Sequence, residues 1–165
     1  MGHTDNCVTI SAPREFVFEL TNQLELWTEM FTEYASVEIL SRDEREFVFR
    51  LTTHPGLDGQ VRSWTSWRRL FPSEGRIEAA RIEPAFPFTS MRLCWDYEVQ
   101  GAGTVLRWVQ DFVVAPQAPF SELEAESYLN HHSRVQMQAV KCFVERRWQE
   151  QQMSHREGKD QEGAR

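Results

Sequence analysis

At 165 residues and 41% hydrophobic, the chain is the size of one domain with a single sizeable core. A net charge of −7 argues against nonspecific binding to nucleic acid or to an anionic membrane, both of which attract basic surfaces. Six Trp and eleven Phe are many rings for so short a chain, and aromatic side chains supply wall area at low entropic cost.

No apolar run approaches the roughly 18 residues that span a bilayer. The start, MGHTDNCVTIS, lacks the apolar core of a signal peptide, and Asn6 stands where N-myristoylation wants Ser or Thr. A cytoplasmic location is therefore expected. Cys7, Cys94 and Cys142 are odd in number and lack metal-type spacing, so they read as reduced thiols, with neither a zinc site nor a disulfide framework.

Asn6 to Ser11 alternates weakly through Val8 and Ile10 and predicts a first strand. Ser11-Ala12-Pro13 then opens a short helix, with Ser11 as its cap and Phe16, Val17 and Leu20 as its apolar stripe. Leu24, Trp27 and Phe31 are spaced for a second short helix over Gln23 to Phe31. From Ala35 the period changes to two. Val37 and Ile39 mark one strand, and Phe47, Phe49 and Leu51 the next. His54 to Gly59, HPGLDG, makes a turn.

The following stretch, Gly59 to Leu70, is the most informative in the chain. As a strand it puts Arg62, Trp64, Ser66, Arg68 and Leu70 on one face, with Val61, Ser63, Thr65, Trp67 and Arg69 on the other. Neither face is cleanly apolar. That leaves two readings: an edge strand with two solvated arginines and one core tryptophan, or one wall of a hollow, partly polar interior. After Pro72 to Gly75 come a strand over Ile77 to Ile82 and a break at Glu83 to Pro87. Met91, Leu93, Trp95, Tyr97 and Val99 then form the strongest alternation in the sequence. A last strand runs from Thr104 to Val114, with Leu106, Trp108, Gln110 and Phe112 on one face.

Ser121 with Glu124 fits a capping box, and the pattern is helical from there to about Trp148. Leu129, Asn130, Ser133, Met137, Val140 and Val144 share a face of this helix, and His131 and His132 point away from it. About 28 helical residues reach about 40 Å, enough to cross a sheet. Residues 149–165 read as a frayed polar tail beyond a domain of residues 1–148. Strand, two short helices, about six strands and one long helix imply an α+β helix-grip fold. In it a curved antiparallel sheet wraps the C-terminal helix and leaves a ligand cleft.

Taken together, these residues resemble the single-domain aromatase/cyclases of bacterial type II aromatic polyketide synthases, which belong to the START-like helix-grip superfamily. The resemblance is carried by His3 to Asn6, Ala12-Pro13, Leu20 to Asn22, Trp27, Phe31 to Ala35, Phe49 to Thr52, His54-Pro55, Val61 and Ser63-Trp64 with Ser66 and Arg68. It continues through Ala80 to Glu83, Trp95 with Tyr97, Arg107 to Phe112, Pro116, Ala118-Pro119 and Leu129-Asn130. It implies an enzyme that closes and aromatises the first ring of a poly-β-ketone. The ketone would be tethered to an acyl carrier protein and delivered by a minimal polyketide synthase. No metal or redox cofactor is implied, and neither nucleic acid nor membrane as partner. The implied pocket residues are Trp27, Phe31, Tyr34, Trp64, Ser66, Arg68, Arg81, Trp95, Trp108, Gln110 and Asn130. Two features depart from the pattern: Trp67 is bulky where the family often has Glu or a small polar residue, and His131-His132 has no counterpart with an assigned role.

Ring closure needs an enolate at one carbon, an electrophilic carbonyl at another, and then loss of water. Arg68 is expected to hold the oxyanion, since a fixed cation in a water-poor cleft stabilises developing charge, and a guanidinium is not a base. Its structural alternative is a salt bridge to a strand carboxylate. Tyr34 is expected to give a proton and, were a cation to lower its pKa, to accept one. Ser66 and Gln110 are expected to hydrogen-bond ketones or water. The tryptophans would fold the floppy chain into a reactive shape. His54 reads as a solvated turn residue, and Arg42, Arg45 and Arg50 are surface cations that could meet an acidic carrier. The competing functions are a noncatalytic lipid or quinone carrier of the same fold and, further off, an interaction domain.

Overall fold

The computed structural model describes residues 1–164. Strand β1 (Gly2–Ile10) turns Thr4, Asn6 and Ile10 inward. It begins four residues before the predicted strand because two of its inward positions are polar and hide the alternation. Helix α1 (Arg14–Thr21) follows, capped by the backbone of Pro13 and not by Ser11. The second predicted helix divides into a 3-10 turn (Leu24–Leu26) and a single α-turn, α2 (Trp27–Met30). Then come β2 (Tyr34–Arg42), β3 (Glu46–Thr53), β4 (Ser63–Phe71), β5 (Arg76–Arg81), β6 (Phe88–Gln100) and β7 (Gly103–Val114).

The seven strands form one antiparallel sheet in the order β1-β7-β6-β5-β4-β3-β2. Strands β2 to β7 are a meander, and β1 closes it by pairing with β7. Strand β4 is therefore interior, which removes the edge-strand reading. Its first predicted residues, Gly59 to Arg62, lie in the loop before it.

The last helix, α3 (Glu122–Gly163), starts at the predicted capping box: the Glu124 backbone N–H donates to the Ser121 hydroxyl at 3.2 Å, and the Ser121 N–H donates to the Glu124 carboxylate at 2.7 Å. It packs chiefly along β1, burying Leu129, Ser133, Met137, Val140 and Val144 on the predicted face, with Gln136 and Phe143 added. The helix does not end near Trp148. It continues to Gly163, and nearly every residue past Trp148 is exposed. At 1.5 Å per residue its 42 residues reach about 63 Å, well past the sheet.

Register aligns side chains from successive strands into rows across the inward face. One row runs Phe47, Arg68, Ala79, Leu93, Gln110, Thr4 from β3 to β1. A second runs Leu70, Ile77, Trp95, Trp108, Asn6, and a third Phe49, Ser66, Arg81. In the first row Ala79 sits between a guanidinium and a leucine, and its small side chain leaves room above the sheet.

Candidate active site

Between the inward face of the sheet and α3 lies a cavity of about 850 Å³, within the range of small-molecule sites. Trp27, Phe31, Tyr34, Trp64, Ser66, Arg68, Arg81, Trp95, Trp108 and Gln110 all line it. Asn130 does not. Its side-chain oxygen accepts from the Asn6 amide at 2.8 Å, so it joins α3 to β1 and faces away from the cavity. Trp67, the bulky departure, is on the opposite face of β4 beneath Arg69 and leaves the cavity untouched.

Aromatic rings build most of the wall. Trp27 stacks on Tyr34 with centroids 6.0 Å apart, and Phe31, Phe49 and Trp64 meet this pair edge-on or tilted at 5.2 to 6.3 Å. Trp95 and Trp108, opposite each other on β6 and β7, pack edge to face at 5.4 Å.

Arg68 is 1% exposed, and among the described residues no carboxylate lies within salt-bridge distance, which removes its structural alternative. Its Nε donates to the Asn22 side-chain oxygen at 2.8 Å, and its guanidinium lies 4.6 Å from the Trp95 ring centre and 5.1 Å from that of Trp27. Asn22 is itself tied to the Phe18 carbonyl at 2.8 Å, and Thr21 meets the Tyr97 hydroxyl at 2.7 Å. The end of α1 is thus a polar bracket for the cation. Burial pushes the Arg68 pKa down to about 10, which still leaves it charged at neutral pH. Arg81, directly opposite Ser66 on β5, supplies a second cation 4.2 Å over the Trp64 ring, also pushed to about 10 by burial.

The buried atoms without a partner among the described residues include Arg68 Nη2, Trp95 Nε1 and Trp108 Nε1. All three are donors, and none of these groups can accept. Unmatched buried donors cost about 1–3 kcal/mol each, so this wall favours an occupant rich in acceptor oxygens.

Two expectations change. Burial, reinforced by the nearby Glu33 charge, raises the Tyr34 pKa well above its ordinary value, and the opposing fields of Arg81 and Arg68 are smaller. Tyr34 therefore stays a phenol and is a proton donor, not a base. A β-bulge or irregularity between Tyr34 and Ser36 breaks the β2 register at this point, and the phenol lines the cavity. For Gln110, the side-chain NH₂ donates to Ser133 at 2.8 Å and to Thr4 at 3.2 Å. Its donors are committed, so it has only an acceptor for a hydroxyl or water and none to give a ketone.

Three residues were overlooked in the sequence. His132 lines the cavity, with Nε2 2.5 Å from Glu33 Oε2, and only His131 faces outward. Glu33 lines the cavity too. Gln136 on α3 fixes the segment before β2: its amide donates to the Thr32 hydroxyl at 2.7 Å and accepts from the Thr32 N–H at 3.0 Å. His54 stands at the cavity mouth, exposed as expected. Arg42, Arg45 and Arg50 do not line the cavity; the arginine at its mouth is Arg62, paired with Asp58 at 2.6 Å. Among the described residues there is no cluster of three or more potential metal ligands, and no helix long and apolar enough to cross a membrane.

A seven-stranded sheet gripping a long helix around an aromatic, cation-bearing cavity defines a helix-grip ligand-binding protein. The chain belongs to the family described as polyketide cyclase / dehydrase and lipid transport, whose model matches residues 1–145. It is 41% identical over 144 residues to a protein named as a polyketide cyclase from Streptomyces cyaneus, covering 87% of this chain and 94% of that one. It is also 29% identical over 136 residues to the actinorhodin polyketide synthase bifunctional cyclase/dehydratase of Streptomyces coelicolor, matching 82% of this chain and 42% of that longer protein. Among solved structures, the Zhui aromatase/cyclase from Streptomyces sp. R1128 superposes with a TM-score of 0.78 at 27% identity, over 88% of this chain and 94% of the other.

Proposed function

We propose that this protein is a polyketide aromatase/cyclase that directs the first aldol ring closure of a poly-β-ketone and the dehydration that makes the ring aromatic. The substrate arrives tethered to an acyl carrier protein of a cytoplasmic type II synthase, entering by the mouth that Arg62 borders. The observation that carries this reading is the buried Arg68 guanidinium. It is fixed by Asn22, framed by two indole faces and, among the described residues, unopposed by any carboxylate and accompanied by further unpartnered donors. Such a wall suits a chain bearing a carbonyl at every second carbon and the oxyanion formed on closing it.

Tyr34 gives a proton to the departing hydroxyl, and the tryptophan walls bring one methylene to about 3 to 3.5 Å from one carbonyl. The steps need neither metal nor redox cofactor. A lipid or quinone carrier has little use for one buried and one half-buried cation, whose desolvation is costly without a charged or oxygen-rich occupant. Reconstitution with a minimal synthase tests the reading: the protein shifts the product spectrum toward one first-ring regiochemistry, and Arg68→Ala abolishes the shift. An unchanged spectrum with the wild-type protein, or copurified lipid with full activity in Arg68→Ala, would favour the carrier.

A further inference from the structure

Forming the enolate requires a base, and the groups given a chemical role so far supply none: Arg68 and Arg81 are cations, and Tyr34 is held as a phenol. Among the described residues, three carboxylates line the cavity. Asp58 is exposed at the mouth and bound by Arg62, and Glu124 is spent in the capping box of α3. Glu33 differs from both. Its side chain is 20% exposed, it directly precedes Tyr34, and it is held at 2.5 Å by His132 from the facing helix. The imidazole is in turn stacked on Tyr128, rings 5.7 Å apart and 11° from parallel. The backbone on either side is pinned as well, by Gln136 at Thr32 and by the His54 N–H donating to the Glu33 carbonyl at 2.9 Å.

We infer that Glu33 is the base that removes the methylene proton, and that His132 is a positioning residue which fixes its carboxylate against the cavity wall. This deepens the cyclase reading and rests on it. In the dehydration step the Cα–H proton passes to a Glu33 oxygen and its electron pair becomes the enolate, whose oxygen faces Arg68. The β-hydroxyl leaves with its bonding pair, takes the Tyr34 proton and departs as water. The Tyr34 phenolate then recovers a proton from Glu33, so one water is released and the enzyme is unchanged.

The charged and titratable groups around Glu33 are His132 and Tyr128 from α3, Tyr34 from β2, Arg81 from β5, Arg68 from β4, and His54 with the Arg62–Asp58 pair from the β3–β4 loop. The hydrogen bond to Glu33 raises the His132 pKa against the opposing effect of burial, which keeps the imidazolium beside the carboxylate as pH rises past the ordinary histidine range.

The test uses 3-hydroxy-1-tetralone, a β-hydroxy ketone that loses water to give fluorescent 1-naphthol, alongside product distribution in the reconstituted synthase. Glu33→Gln is expected to bind 1-naphthol as tightly as wild type, read by tryptophan fluorescence, while losing activity by about 10²-fold or more, the scale of a general base. Glu33→Asp recovers part of it. His132→Gln keeps a hydrogen-bond donor to the carboxylate and is expected to retain at least tenfold more activity than His132→Ala, with 1-naphthol bound equally by both. Glu33→Gln matching wild type in whichever assay the wild type performs would overturn the inference, as would equal activity in His132→Gln and His132→Ala. A wild-type protein active in neither assay would sink the cyclase reading itself, and the base assignment with it.

Discussion

Arg68 illustrates how one residue becomes reactive through its neighbours. Alternation in Ser63 to Leu70 puts it on the same face as Trp64 and Ser66, and that was legible because strand period is a property of the backbone. What holds the cation was not legible. Thr21 ends α1 and Asn22 follows it, Glu33 precedes β2, and neither helix ends nor connections have a period that reveals which way a polar group turns. Asn22 is the place to separate charge from packing. Asn22→Asp puts a carboxylate where the amide oxygen accepts from Arg68, giving the guanidinium the partner it lacks. We expect this variant to melt within a few degrees of wild type and still bind 1-naphthol, yet to direct product formation about 10²-fold less well, the scale of losing one oxyanion donor. Full activity in Asn22→Asp would mean that the free charge on Arg68 is not used.

Helix α3 shows what period alone leaves undecided. Its start and its buried face were readable from Ser121, Glu124 and the apolar spacing through Val144. Its end was not, because residues 149–163 are polar all round and carry no stripe, although Glu, Gln, Lys, Arg and Met are good helix formers. The same logic explains the misplaced outward His132. On a helix lying beside β1, the rim of the buried stripe overlooks the cavity, and a residue just off the apolar face reaches Glu33. Trp148 marks the last anchoring contact, with its ring 5.0 Å from Phe16 of α1. Ending the chain after residue 151 is therefore expected to change stability by no more than about 0.5 kcal/mol, the usual range for surface changes. Ending it after residue 146 removes the Trp148 contact and costs about 1–2 kcal/mol. Chemical denaturation of the two truncations measures both, and equal losses would show that the projecting turns stabilise the fold.

For the whole molecule the governing fact is that a chain rich enough in rings to fill its interior keeps about 850 Å³ open. Close packing is the norm, and lining a void forfeits dispersion contacts and strands donors such as the Trp95 and Trp108 N–H groups. The hollow follows from the rows across the sheet: bulky side chains form its rim, while Ala79 and Ser66 stay short at its floor. The sequence pattern told that a cleft exists, but not that its floor depends on an alanine, because alternation records polarity and not volume. Ala79→Leu should consequently act in opposite directions on fold and function. The added carbons enter open space beside Arg68 and Leu93, and each methylene buried there contributes up to about 0.8 kcal/mol, so the variant should melt at or above the wild-type temperature. The same atoms occupy the position where a folded polyketide must lie, so 1-naphthol affinity and product direction should both fall at least tenfold. A stable Ala79→Leu protein that binds and cyclises normally would show that the substrate reacts elsewhere in the cavity, away from the Arg68 row.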